Sequence, residues 1–303
     1  MNKSSMNKSM DPQEALFYGK FVQAAYIMFK SNPAEPLPEP QGIPDDYELG
    51  AWIQMSDFFL DTEKSEFYGI VAHKKTDPQT RVIAIRGTEG KIEWLDDMDA
   101  VPIPFHQVPS AGRVAGGFDR IYKTLKVVKR QIPGSQGAEA ADAVPETFTG
   151  SFGDQLEQLA LSREAESRTE KVPGLARPLR TTVVAGHSLG GALTTLFVME
   201  NDSKRKFDIT TLYTFASPRV GNLEFVHLFN NLPIESWRIV NPHDIVPKLP
   251  PHIPVVLDYE HVDVTYEVNS AGLAKGNLLC WHIMETYLHV LDHAYPLRAE
   301  CVI

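Results

Sequence analysis

A serine with a glycine two positions before it and another two positions after it, Gly186-His187-Ser188-Leu189-Gly190, is the part of this sequence best fitted to do chemistry. A serine hydroxyl is a weak nucleophile until a neighbouring base takes its proton. The G-x-S-x-G spacing suits a very tight strand-to-helix turn that presents such a serine to an acyl carbon. The residues flanking that turn crowd each other and must be small, which Gly186 and Gly190 satisfy. Such chemistry needs a base, an acid to orient the base, and two N–H donors for the oxyanion. In the order nucleophile, acid, base, Asp244 lies in Asn241-Pro242-His243-Asp244-Ile245-Val246-Pro247, just past a strand-like Trp237–Val240. Asp258 and Asp263 compete with it. The histidines that follow are His252, His261, His282, His289 and His293. Position favours His282, at the opening of the last predicted helix, but the residues alone leave this choice open. For the oxyanion, Leu189 offers the N–H after the nucleophile. Thr88, in Arg86-Gly87-Thr88 after a strand ending at Ile85, offers a second N–H and a hydroxyl.

Hydrophobic periodicity supplies elements to carry these groups. Glu14 to Phe29 has the spacing of an amphipathic helix, and Ser31 to Pro44 is a Pro-rich loop. Glu66 to His73 and Arg81 to Ile85 form a predicted hairpin around Thr76-Asp77-Pro78. Phe118, Ile121, Tyr122, Leu125, Val128 and Ile132 predict one helix over Gly117 to Ile132. The stretch from Pro133 to Arg180 is Ala-, Glu-, Ser- and Gly-rich; apart from a helix over Leu156 to Arg168 it reads as a surface insertion without core material. Beyond it, strands at Thr182–Ala185, Thr210–Phe215, Trp237–Val240 and Val262–Val268 alternate with helices at Gly191–Glu200, Leu223–Asn230 and His282–Leu291. That alternation predicts an α/β fold, a mainly parallel central sheet with helices on both faces, over residues 11–303, with 1–10 a polar tail.

Composition narrows the function classes. The chain has 303 residues, 43% hydrophobic and 22% charged, with a formal net charge of −10. Acidity argues against a nucleic-acid partner, because phosphate binding needs clustered Lys and Arg. No His, Cys or carboxylate cluster has metal-ligand spacing, so neither a metal nor an organic cofactor is expected. Thr181 to Met199 lacks charged residues and is long enough to span a bilayer. Its central Gly186, His187, Ser188, Gly190 and Gly191 favour a strand, a turn and a buried helix, so no transmembrane segment is expected. The polar N-terminus shows no signal peptide, which favours a cytoplasmic location but leaves localisation open, with secretion by another route as the alternative. Cys280 and Cys301 are read as free thiols, although they could pair.

The combined motifs resemble the class 3 lipases, the family of the filamentous-fungal triacylglycerol lipases. Arg86-Gly87-Thr88 with Trp94-Leu95-Asp96-Asp97 resembles the family's oxyanion segment and the start of its lid. Gly186 to Gly191 matches its nucleophile motif, Phe215-Ala216-Ser217-Pro218-Arg219-Val220-Gly221-Asn222 resembles its Pro-Arg-Val-Gly-Asn stretch, and Asn241 to Pro251 resembles its acid loop. His282-Ile283-Met284-Glu285-Thr286-Tyr287-Leu288 resembles the segment that carries its catalytic histidine. Ala115 departs from a frequent histidine and Ala216 from a frequent glycine. The resemblance implies an α/β-hydrolase fold and a triad of Ser188, Asp244 and His282, with Thr88 and Leu189 at the oxyanion hole. It implies hydrolysis of acylglycerol or other carboxylic esters at a lipid–water interface, with a phospholipase A1 or short-chain esterase as alternatives. An inactive hydrolase fold that binds a ligand is a further alternative, disfavoured by the intact triad. It also implies that the amphipathic Glu89 to Phe105 forms a lid.

Overall fold

The computed structural model describes residues 9–32, 37–56, 65–88, 99–130, 146–167, 181–253 and 257–303. Helix α1 (Pro12–Ser31) begins where the Asp11 carboxylate accepts from the Gln13 N–H. Pro12 takes the first helical position, where a missing N–H costs nothing. Strand β2 (Ser65–Lys74) runs antiparallel to both β1 (Tyr47–Ser56) and β3 (Asp77–Ile85), and β2 and β3 are the expected hairpin. Then come β4 (Pro102–Pro104), β5 (Arg113–Ala115), α2 (Gly116–Tyr122), β6 (Lys126–Lys129) and α3 (Phe152–Ser167). The alternating part follows: β7 (Thr181–His187), α4 (Leu189–Lys204), β8 (Asp208–Phe215), β9 (Gly221–Asn222), α5 (Leu223–Asn230) and β10 (Glu235–Val240). The chain closes with β11 (Tyr259–Glu260), β12 (Val264–Glu267), α6 (Leu278–His282) and α7 (Met284–Leu291).

The main sheet has eight strands in the order β12-β10-β8-β7-β3-β2-β1-β6. From β3 to β12 every neighbouring pair is parallel, while β2, β1 and β6 add antiparallel strands at one side. Side chains of β7 alternate between two cores. Val183 and Ala185 pack with Phe21, Met28, Tyr287 and Leu288 of α1 and α7. Val184 packs on the opposite face with Phe118, Leu159, Leu193 and Phe197 of α2, α3 and α4. Helix α4 is buried on all sides over its first three turns, which explains its unbroken apolar composition. The parallel strands β3, β7, β8 and β10 all point their carboxyl ends at one edge, where open α/β sheets place ligands. Among the described residues no helix is long and apolar enough to cross a membrane.

Four expectations need correction. The helix predicted over Gly117 to Ile132 stops at Tyr122, and Lys126–Lys129 forms an edge strand against β1. The β-branched Val127 and Val128 lie in that strand, and pairing with β1 outweighs the helical spacing. Outside the expected helix the Pro133 to Arg180 stretch does carry core material: α3 starts four residues earlier than expected, and its first residue, Phe152, is buried in the same core as Phe197 of α4. The last predicted helix is two helices, because Ile283 is extended at φ −58° and ψ 146°. His282 therefore closes α6 and does not open the final helix.

The fourth correction concerns the cysteines. Cys280 and Cys301 are joined as a disulfide, and both are buried. The bridge ties α6 to a segment 21 residues further along the chain. Closing a loop of that length in the unfolded chain is worth about 3 kcal/mol. Cys301→Ser should therefore lower the unfolding free energy by about this amount, seen as a lower urea midpoint. Reduction of the wild-type protein should reproduce the shift, and equal midpoints with and without reductant would contradict it.

Candidate active site

Ser188 stands between β7 and α4 at φ 55° and ψ −126°, a backbone conformation that L residues rarely adopt. Its N–H donates to the Phe215 carbonyl at 2.9 Å, which fixes the turn to the end of β8. The neighbouring glycines are sterically required. A Cβ on Gly190 would lie 2.2 Å from the Ile85 carbonyl oxygen, and one on Gly186 would lie 2.4 Å from the Gly190 oxygen. Ala216, where the family resemblance leads one to expect glycine, also has a positive φ of 52°.

The structure brings Ser188, Asp244 and His282 into one hydrogen-bonded line. Asp244 Oδ2 lies 2.8 Å from His282 Nδ1, and His282 Nε2 lies 2.9 Å from Ser188 Oγ. A carboxylate can only accept, so Nδ1 carries the imidazole proton and Nε2 accepts from the serine hydroxyl. Asp244 is held from two further sides. Its Oδ1 accepts from the Val246 N–H at 3.0 Å and its Oδ2 from the Tyr287 hydroxyl at 2.8 Å. Burial, and then the Asp244 charge, push the Tyr287 phenol well above its ordinary pKa, so it remains a donor. Asp263, one competing acid, has its N–H on the Asn230 side-chain oxygen, and His261 faces the Pro247 carbonyl instead of the serine. His252 contacts Tyr259 and Glu260, and His289 contacts the Tyr295 carbonyl.

Of the two expected oxyanion donors, Leu189 directly follows the serine, and Thr88 follows Gly87, where a Cβ would lie 2.7 Å from Ser188 Cβ. Leu189 is the first residue of α4, where helical N–H groups have no partner in the helix. The Thr88 hydroxyl is buried and has no hydrogen-bond partner among the described residues. Arg86 governs the peptide before it. This side chain is fully buried, with its guanidinium 3.7 Å from the Phe29 ring centroid and 4.0 Å from that of Tyr68. Its Nε and Nη2 donate to the Phe67 carbonyl, and its Nη1 donates to the Gly87 carbonyl at 2.7 Å. In a trans peptide the C=O and the following N–H point in opposite directions. Holding the Gly87 carbonyl therefore sets the direction of the Thr88 N–H.

Sequence reasoning missed the supporting parts of Tyr287, His187 and Arg86. Tyr287 had a usable signal, since a tyrosine on the apolar face of a helix normally needs a partner for its hydroxyl. His187 and Arg86 sat inside recognised motifs with no part assigned to their side chains. The expected lid begins within 89–98, which lies outside the described residues; Asp99 to Phe105 is described, and Phe105 there is buried. Among the described residues no group of His, Cys, Asp or Glu could hold a metal ion.

The sequence profile of the family described as Lipase (class 3) matches residues 82–253, more than half of the 303. The chain belongs to the class 3 lipase family. Members of that family have the α/β-hydrolase fold described above. Among curated relatives, the chloroplastic phospholipase A(1) DAD1 of Arabidopsis thaliana is 23% identical, over 92% of this chain and 71% of its own. Phospholipase A1-II 1 of Oryza sativa subsp. indica is 27% identical over 69% of this chain. That match covers 49% of the rice protein, so the chain spans about half the length of this relative. Among solved structures, the Rhizomucor miehei triacylglyceride lipase superimposes with a TM-score of 0.57 at 23% identity, covering 86% of this chain and 81% of its own. The lipase from Rhizopus microsporus var. chinensis gives 0.56 at 20%, covering 86% and 75%. These structures share the fold.

The buried imidazole of His187 has a consequence for stability. Burial first, then the nearby His282, holds its pKa well below the ordinary 6.5. His261 is likewise pushed down to about 3, chiefly by burial. In both cases the unfolded chain binds a proton near pH 6.5 that the folded protein refuses, so stability is lost as pH falls from about 6.5. Each histidine contributes up to about 1.4 kcal/mol per pH unit in that window. Urea unfolding at pH 8, 6 and 5 should show falling stability, with a shallower slope in His187→Gln. An unchanged slope in that variant would contradict the assignment.

Proposed function

We propose that this protein cleaves the carboxylic ester bonds of acylglycerol-type lipids through an acyl-enzyme on Ser188. The observation that carries the reading is the continuous line from Asp244 through His282 to Ser188 Oγ, with hydrogen bonds of 2.8 and 2.9 Å. As Ser188 Oγ attacks the ester carbonyl, its proton passes to His282 Nε2. Asp244, kept in place by Tyr287 and the Val246 N–H, stabilises the imidazolium. The carbonyl oxygen becomes an alkoxide held by the N–H groups of Leu189 and Thr88 and by the Thr88 hydroxyl. Collapse breaks the ester C–O bond, and the leaving alcohol takes the proton from Nε2. Water then gives a proton to the same nitrogen as it attacks the acyl carbon. The acid is released and Ser188 regains its hydrogen. The substrate would be met at a lipid–water interface.

A second reading on the same machinery is a phospholipase A1, favoured because curated relatives from Arabidopsis thaliana and Oryza sativa bear that name. The two readings differ in head group and share the acyl-transfer chemistry.

Ser188→Ala should abolish hydrolysis of a p-nitrophenyl ester series, and Asp244→Asn should lower kcat by about 10⁴-fold. Equal rates for wild type and Ser188→Ala would sink the reading. Release of fatty acid from trioleoylglycerol emulsions against phosphatidylcholine vesicles labelled at the sn-1 acyl chain separates the two substrate classes. Faster release from the vesicles would favour the phospholipase.

A further inference from the structure

Two backbone groups at functional positions fall outside any strand or helix ladder. Gly87 lies past the end of β3, so its N–H has no strand partner. The His282 carbonyl ends α6 and is followed by the extended Ile283, which takes the chain out of the helix. A buried polar backbone group must still be paired. Both are paired by one chain of side chains. The Gly87 N–H donates to the Tyr26 hydroxyl oxygen at 2.8 Å. Tyr26 Oη lies 2.8 Å from His187 Nδ1, and His187 Nε2 lies 2.7 Å from the His282 carbonyl oxygen.

The direction of each bond follows from chemistry. A carbonyl can only accept, so the His187 proton is on Nε2, and Nδ1 is the acceptor of the Tyr26 O–H. All of the linked side chains are buried, and the His187 and His282 rings are 4.8 Å apart between centroids. The N–H of Gly87 belongs to the peptide before the one that carries the Thr88 N–H, whose carbonyl Arg86 holds. Two successive peptide planes are thus fixed, one by Tyr26 and one by Arg86.

We infer that Tyr26 and His187 are positioning residues that join the oxyanion peptide at Gly87-Thr88 to the backbone of the base His282. They touch neither the ester nor the reacting atoms. They keep the donor and the base in mutual register, one from helix α1 and the other from the position before the nucleophile. The inference rests on the acyl-enzyme reading above. A relay of this kind supports interactions made in the transition state, so its loss lowers kcat and leaves KM nearly unchanged.

Tyr26→Phe keeps the ring and removes the hydroxyl alone. With a p-nitrophenyl ester its kcat should fall about tenfold with KM within about twofold. Affinity for an alkyl boronic acid, which forms a tetrahedral adduct on serine, should fall by a similar factor. His187→Gln, which retains an N–H donor for the His282 carbonyl, should keep more activity than His187→Leu. Because the residues act as one chain, Tyr26→Phe combined with His187→Gln should lose about what the worse single variant loses. Tyr18→Phe, which removes a hydroxyl elsewhere on α1, should leave kcat unchanged. Wild-type kcat in Tyr26→Phe, multiplicative losses in the double variant, or an equal loss in Tyr18→Phe would overturn the inference. Wild type and Ser188→Ala run alongside separate the cases: equal rates there overturn the acyl-enzyme reading itself, and this inference with it.

Discussion

A serine held at φ 55° and ψ −126° occupies a conformation that costs an L residue roughly 1–3 kcal/mol. It persists because the surroundings over-determine it. The Ser188 N–H is tied to the end of β8, and α4 starts within the closest approach that Gly190 permits to the end of β3. These constraints put Ser188 between the ends of β8 and β3, the second of which leads to the Gly87-Thr88 peptide, while the acid loop leaves the next strand across, β10. The parallel part of the sheet is thus a frame that brings separate strand ends to one point. The apolar α4 beneath holds the frame closed and sets its N-terminus, the positive end of its dipole, at the serine.

The second constraint is electrostatic. Arg86 is a fully buried cation, and burial of an unpaired charge is costly. Two aromatic faces and two backbone carbonyls compensate for the lost water. A compact ammonium could not reach both carbonyls in one plane while lying between two rings, so lysine would not substitute here. His187 solves the opposite problem. It provides a donor and an acceptor while staying neutral, so no second positive charge would oppose the imidazolium that the proposed reaction forms on His282.

Much of this was legible in the sequence. The glycine spacing, the chain order of serine, acid and histidine, and the alternation after Thr181 led to the α/β fold and to the residues that the structure lines up. The antiparallel side was less legible. β6 is a strand through its pairing with β1, itself paired along its length with β2, and the apolar residues from Phe118 to Ile132 also match a helix by spacing alone. The extended Ile283 that divides the last helix has no local marker, since isoleucine occurs readily inside helices. Side-chain partners across the fold, such as Tyr26 with His187 and Tyr287 with Asp244, lie 161 and 43 residues apart, and no local pattern couples them. The cysteine pair was too sparse to read as a scaffold, and its union depends on where α6 meets the segment near Cys301.

The stretch that the family profile recognises, 82–253, contains Ser188, Asp244, Thr88 and Leu189. Tyr26 and Phe29 precede it, while His282 and Tyr287 follow it. Arg86 and Val246, inside the segment, thus share the orienting of the oxyanion peptide and the acid with groups from the two flanks, wrapped together on one face of the sheet by α1 and α7. The recognisable segment is for this reason not a transplantable module. What descends as a working unit is the segment together with both flanks, and divergence in either flank can silence or retune the chemistry while the signature that identifies the family stays intact.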